Sequence, residues 1–592
     1  MNIELFENNG NVSYDSNNFY INGNPTKIVS GAMHYFRIPK PYWEDRLLKL
    51  KECGCNCVET YICWNIHEKK EGEFDFSGWL DVGEFIDLAN SMGLYVIVRP
   101  GPYMCSEWDF GGLPWWLLKY PDADIRCYSE KYLSLCTPYL EKVCDIIKPR
   151  LITNGGNIIF VQIENEYGSY GRDKKYLNWL KAFYESHGIN CGFLTSDGET
   201  EMLLSNGTLD GVLATVNYRK DSEECIGKLK KFRPDQPGAV LELWNGKAMH
   251  WGEAIERRNV EEVKESVRTA LEFGELVNLY MFHGGTSFGF MNGALDFGEK
   301  FVVQMTSYDV DAPLDEYGRR TQKYYAEQEV ICKALGKTPQ NTASDTVIAS
   351  YGDVRFVGEC SLCESGINID THTSPMPKPM EYYNQGYGYI VYETEFFADE
   401  KGAIINFPEI HDIAHIYIDG TYTKTLERYS AQKSVTVEKC GTHRMAVLVE
   451  NMGRVNYGIR MKDYKGIVGN ITLHDMLYNV DNVLLGYNVY SLSLDSLPTS
   501  YSAKATVNQP AFYKYELNVD SACDTVMHLD GFTRGVAFVN GFNLGRHWDI
   551  ENSPNKLFIP APLLQRGKNE IVIFDVLHKD ADKKLIFGEF DR

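Results

Sequence analysis

Between residues 27 and 335 the chain alternates short apolar runs with longer stretches that carry apolar residues at helical spacing. The short runs lie at 27–31, 57–63, 95–99, 158–163, 192–196, 211–217, 239–243 and 276–282, most of them bounded by Gly, Pro or Asn. Continuous apolar runs of this length predict parallel strands buried on both faces. The stretches 42–53, 80–92, 130–148, 173–187 and 257–273 predict helices. The first enters after Pro41 and leaves at Gly54; the others stop at Gly93, Pro149, Gly188 and Gly274. Proline suits the first helical turn, and glycine tolerates the left-handed conformation that ends many helices. Eight strands alternating with helices predict a (β/α)8 TIM barrel over 1–335. An open doubly wound sheet fits less well, because no Gly-rich phosphate loop follows the first strand.

After Gly336 the pattern changes. Residues 336–380 read as a connector, with Ser374-Pro375-Met376-Pro377-Lys378-Pro379 as an extended segment. Beyond it the apolar period is two. The run 414–420 ends on Asp419-Gly420 and the run 536–541 on Asn540-Gly541, both dipeptides that favour tight hairpins. Further β runs follow at 445–450 and 570–576. Two β-sandwich or jelly-roll domains are predicted, over 381–485 and 486–592. The fold class is multidomain, α/β followed by all-β.

Composition narrows the ligand. The net charge is 59 − 81 = −22, which argues against a nucleic-acid phosphate backbone as partner. Tyrosine (38 residues) and tryptophan (10) suit the apolar faces and hydroxyls of sugars, although large cores also use them. The 15 cysteines are odd in number and scattered, and the lone Cys360-x-x-Cys363 has no second pair at zinc spacing. No metal or other cofactor is expected, and free thiols point to a cytoplasmic protein. Residues 1–10 show no basic-then-apolar leader, and no run is long enough to span a membrane.

The candidate chemistry sits at strand ends, where barrel enzymes carry their active sites. Glu166 follows the fourth strand in Gln162-Ile163-Glu164-Asn165-Glu166-Tyr167-Gly168, and Glu242 closes the seventh in Leu241-Glu242-Leu243-Trp244-Asn245-Gly246. Fourth and seventh strands lie across an eight-strand ring. Two carboxyls facing each other there could cleave a glycosidic bond, one as proton donor and one as nucleophile. Burial and a neighbouring carboxylate would keep the acid protonated. Arg37 or Arg99 could hold the nucleophile's charge. Asn165 could meet a sugar hydroxyl, and Glu107 could grip two. His67-Glu68 is too few ligands for a metal and reads as a loop-orienting pair.

At these residues the chain resembles the β-galactosidases of glycoside hydrolase family 35. The similar segments are Gly31-Ala32-Met33-His34-Tyr35-Phe36-Arg37-Ile38-Pro39, Trp64-Asn65-Ile66-His67-Glu68, Arg99-Pro100-Gly101-Pro102-Tyr103, Glu164-Asn165-Glu166-Tyr167-Gly168, Gly284-Gly285-Thr286-Ser287-Phe288-Gly289 and Val539-Asn540-Gly541-Phe542-Asn543-Leu544-Gly545-Arg546. The resemblance implies a catalytic barrel with two galactose-binding-like β domains. It also implies exo-acting, retaining removal of terminal β-galactose from oligosaccharides or glycoconjugates. By it, Glu166 is the acid/base and Glu242 the nucleophile. Tyr61, Cys105, Ser106, Glu107, Asn165 and Tyr280 form the galactose pocket, joined by Tyr308 and Trp244. Two positions depart from the family pattern: Val310 stands where a second tyrosine is common, and Lys247 where a tryptophan often follows the glycine. These changes favour a different leaving group, and leave open an exo-β-glycosidase or transglycosidase acting on glucosyl or glucosaminyl ends. A carbohydrate-binding protein with an inactive barrel is the reading from another class. A homodimer through the β domains is an open expectation.

Overall fold

In a computed structural model, residues 11–352, 354–502 and 504–589 are described. Residues 1–10, where no leader was expected, lie outside them. Eight parallel strands close into a barrel in chain order: β1 (Ile28–Met33), β2 (Cys57–Tyr61), β3 (Tyr95–Arg99), β4 (Ile158–Gln162), β5 (Gly192–Gly198), β6 (Leu213–Tyr218), β7 (Ala239–Trp244) and β8 (Leu276–His283), which returns to β1. Nearly every strand residue is buried, as expected of strands lined inside by side chains and covered outside by helices.

A helix follows each strand: α1 (Trp43–Glu52), α2 (Val82–Ser91), α3 (Glu130–Ile147), α4 (Lys174–Ser186), α5 (Glu201–Gly207), α6 (Ser222–Phe232), α7 (Val260–Phe273) and α8 (Gln322–Ala334). Asp173 caps α4 by accepting from the Lys175 and Tyr176 N–H groups, and Asn259 caps α7 in the same way at Glu261 and Glu262. Gly188 takes φ +83° after α4, a conformation that costs other residues strain. Gly274 is extended instead; a side chain there would press on the Ala270 carbonyl, so it is space that requires glycine. Among the described residues no helix is long and apolar enough to cross a membrane.

The stretch read as a connector is not structureless. It holds β9 (Val354–Ser361) and β10 (Asp370–Ser374). The other strands of the β10 sheet are β11 (Tyr389–Ala398), β12 (Ile413–Ile418), β13 (Thr421–Glu427), β14 (Gly441–Glu450) and β15 (Tyr487–Leu492). They form, with β10, a sheet in the order β10-β15-β11-β14-β12-β13. Strand β15 thus belongs to the first β domain, although it lies past residue 485. The last domain holds β16 (Ala511–Val519), β17 (Arg534–Val539), β18 (Phe542–Trp548) and β19 (Gly567–Asp575), and it recruits β9 as an edge in the order β9-β16-β19-β17-β18. Each large sheet faces a smaller one across its own apolar core. Both predicted hairpins form, with positive φ at Asp419, Gly420, Asn540 and Gly541, the backbone that two-residue turns need.

The β domains brace the barrel mouth. The Tyr103 hydroxyl donates to the Asn456 carbonyl (2.7 Å), the Asn456 amide reaches the Cys105 sulfur (3.5 Å), and the Arg454 N–H donates to Asp109 (2.7 Å).

Candidate active site

Glu242 lies near the end of β7 and is almost wholly buried. Three donors converge on its carboxylate. Arg99 Nη2 (2.6 Å) and the Tyr61 hydroxyl (3.3 Å) reach one oxygen, and the Trp244 indole N–H (2.9 Å) reaches the other. These donors fix the plane of the carboxylate and complement a negative charge. Of the two candidate arginines, Arg99 is therefore the partner. It is also held by the side-chain carbonyls of Gln162 and Asn165, both at 2.6 Å, and lies over the Tyr61 ring at 4.0 Å. Arg37 serves the next loop. Its guanidinium donates to Ser106 Oγ (2.7 Å) and to the Ser106 carbonyl (2.6 Å), and stacks on Tyr308 at 3.7 Å.

Glu166 stands just past β4, at the N-terminus of a helical turn. Burial, and then the charge of Glu242, push its carboxyl from the usual 4.5 up to about 8. The Asn217 side chain donates to it at 3.2 Å from the end of β6. An acid with that affinity for its proton is suited to proton donation at neutral pH. The other acid of the motif, Glu164, points elsewhere. It forms a two-toothed pair with Arg126 (2.9 and 2.8 Å), whose guanidinium lies against Tyr103 (3.5 Å) and Tyr170 (4.2 Å). Arg126 also donates to the Asn165 carbonyl at 2.8 Å. Both Glu164 and Glu166 have positive φ, 56° and 45°. The buried ion pair holds this turn in a conformation that costs non-glycine residues energy.

The loop after β3 carries the same kind of strain, with Cys105, Ser106 and Glu107 all at positive φ. It delivers Glu107 into the cavity, where the Tyr308 hydroxyl donates to it and burial raises its affinity for a proton. Asn165 uses its carbonyl on Arg99 and Gln162 and one amide hydrogen on the Met104 carbonyl (3.1 Å), so one hydrogen is left for a ligand.

Glu166 and Glu242 line one cavity of about 270 Å³ with Tyr61, Cys105, Ser106, Glu107, Asn165, Trp244, Tyr280 and Tyr308. Every site residue expected from sequence is in its wall. Lys247 and Val310, the two departures from the family pattern, line it too. Reasoning from sequence did not single out Met104, Arg219, Ala248 or Met281. Arg219 follows directly on β6, and the strand-end rule could have found it. His67 and Glu68 lie off the cavity. His67 bonds the Asp75 carbonyl (2.7 Å), and Glu68 accepts from Trp64 (2.6 Å) and the Gly72 N–H (2.7 Å), so each fastens a loop.

Comparison with known proteins agrees with this geometry. Residues 18–334 match the family described as Glycosyl hydrolases family 35. This chain belongs to glycosyl hydrolase family 35. Its β regions match Beta-galactosidase, first all-beta domain, over 377–492 and Beta-galactosidase, galactose-binding domain, over 510–569. A protein named Beta-galactosidase from Xanthomonas manihotis is 40% identical over 545 residues, covering 90% of this chain and 88% of its own. Beta-galactosidase-1-like protein 2 of Homo sapiens is 37% identical, with 94% and 88% covered. Beta-galactosidase of Bos taurus is 35% identical, with 98% and 93% covered. The family 35 chain is a glycoside hydrolase, and its barrel brings two carboxyls with different surroundings to one sugar-sized cavity.

Proposed function

We propose that this hydrolase is a β-galactosidase that releases terminal, non-reducing β-galactose from oligosaccharides or glycoconjugates with retention of configuration. The observation that carries the reading is the pairing of Glu166 and Glu242 on one small cavity, one carboxyl holding its proton and the other held by Arg99, Tyr61 and Trp244. Glu166 protonates the glycosidic oxygen as Glu242 bonds to the anomeric carbon. Glu166 then draws a proton from the water that frees the sugar. The size of the cavity supports exo-action, since it has room for a terminal residue rather than a chain. The names of the relatives support galactose as that residue. The unpaired cysteines suit a reducing compartment, and on that ground we place the enzyme in the cytoplasm.

Lys247 and Val310 in the cavity wall favour a second reading, action on glucosyl or glucosaminyl ends. Aryl β-glycosides of galactose, glucose and N-acetylglucosamine separate the two. Galactoside cleavage well above the others, with the β-anomer as first product by NMR, is expected. A glucoside preference or an α-product would contradict it.

A further inference from the structure

Two cations line the cavity past the ends of the neighbouring strands β6 and β7, and the fold neutralises neither closely. Glu166 donates its proton to the departing oxygen, so the leaving residue sits on the Glu166 side. There Asn217 holds Glu166 from the end of β6, and Arg219, two positions on, lines the mouth. Among the described residues Arg219 has no ion pair or hydrogen bond. The nearby Arg258 adds a like charge rather than a partner. Lys247, on the neighbouring lip past the end of β7, has among the described residues one ion pair, with Glu256 at 3.6 Å, and both side chains are about half exposed. Gly246 brings that lip close: a side chain at 246 would strike the Val310 carbonyl, so the Lys247 segment packs directly on the Val310 turn. Val310 sits at φ 48°, a region rare for a β-branched residue, and presents an apolar wall. An unpaired guanidinium in a binding cavity is a ready partner for a carboxylate or sulfate.

We infer that Arg219 and Lys247 form a leaving-group subsite that selects galactosides whose next residue carries an anionic group, a carboxylate or a sulfate. The inference rests on the β-galactosidase reading and names its substrate class. Arg219 also lines an adjoining groove that holds Lys220, Arg258 and six acidic side chains, among them Asp221 and Glu262. That acidic wall restricts the anion to the first leaving residue, between the two cations, and disfavours anions farther out.

The test uses three disaccharides in one linkage: galactose on glucose, on glucuronic acid and on glucose 6-sulfate. At low salt kcat/KM for at least one anionic substrate exceeds that for the neutral one by roughly three- to tenfold, the scale of one or two partly solvated charge contacts. Which substrate leads tells carboxylate from sulfate. The preference shrinks as salt shortens the screening length toward ~3 Å at about 1 M. In Arg219→Met and Lys247→Met the ratio of anionic to neutral kcat/KM falls. That ratio does not depend on how much of the variant is folded, and Arg219→Lys retains part of it. Cleavage of all three substrates with no anionic preference in the wild-type enzyme would overturn the inference and leave the β-galactosidase reading intact. No cleavage of any would overturn both.

Discussion

Replacing Glu166 by glutamine removes the proton donor and also a group that weakens the fold at neutral pH. In the unfolded chain this carboxyl ionises near 4.5, and in the folded cavity near 8. The stability it contributes is therefore complete below about pH 4.5 and is lost as pH rises through about 8. At pH 7 the folded protein must keep a proton that the unfolded chain has shed. At ~1.36 kcal/mol per pKa unit this costs about 3 kcal/mol. Glutamine keeps the carbonyl that accepts from Asn217 and has nothing to titrate. Scanning calorimetry of wild type and Glu166→Gln across pH 4 to 8 reads the effect. The two should unfold together near pH 4, and by pH 7.5 the variant should unfold a few degrees higher, at roughly 2 °C per kcal/mol for a large domain. The same variant should lose activity on alkyl galactosides far more than on dinitrophenyl galactoside, whose leaving group needs no proton. Wild-type kcat/KM on alkyl substrates should fall above about pH 8, as the acid loses its proton. A melting difference that is independent of pH, or a variant less stable at pH 7.5, would refute the reasoning.

The remaining predictions concern the groups around the two carboxyls. Arg99→Met leaves Glu242 and the buried Glu59 without their shared cation, and Asn165 without one of its anchors. A loss of roughly 10²–10³ in kcat is expected, with a destabilisation of about 3–5 kcal/mol in urea unfolding. Arg126→Met breaks the buried pair with Glu164 and releases the strained turn that presents Asn165 and Glu166. It should lower melting temperature and kcat together, and Arg126→Lys should restore less than half of the lost kcat because an ammonium cannot span both carboxylate oxygens.

How much of this was legible in the chain follows from which contacts are local. The barrel strands were readable because burial on both faces leaves continuous apolar runs, and the hairpins at Asp419-Gly420 and Asn540-Gly541 because their turns demand particular residues. The two carboxyls were readable because they terminate strands of a recognisable ring. Strand β9 was missed because its partner β16 lies about 150 positions on, and its own burial is uneven. Helices α5, α6 and α8 were missed as well. Arg37 and Arg99 both sit by strand ends, and only side-chain reach decides that Arg99 meets Glu242. Arg126 is 38 positions from its partner Glu164 and Asn217 is 51 from its partner Glu166, and no local pattern announces either contact.

The central claim is that Glu242 bonds to the sugar while Glu166 moves the proton. Incubation with a 2-deoxy-2-fluoro-galactoside bearing a good leaving group slows the second step and traps the sugar on the enzyme. Peptide mapping by mass spectrometry should then find the label on Glu242, and Glu242→Ala should take up none. A label on Glu166 or any other residue, or full turnover by Glu242→Ala, would contradict the account.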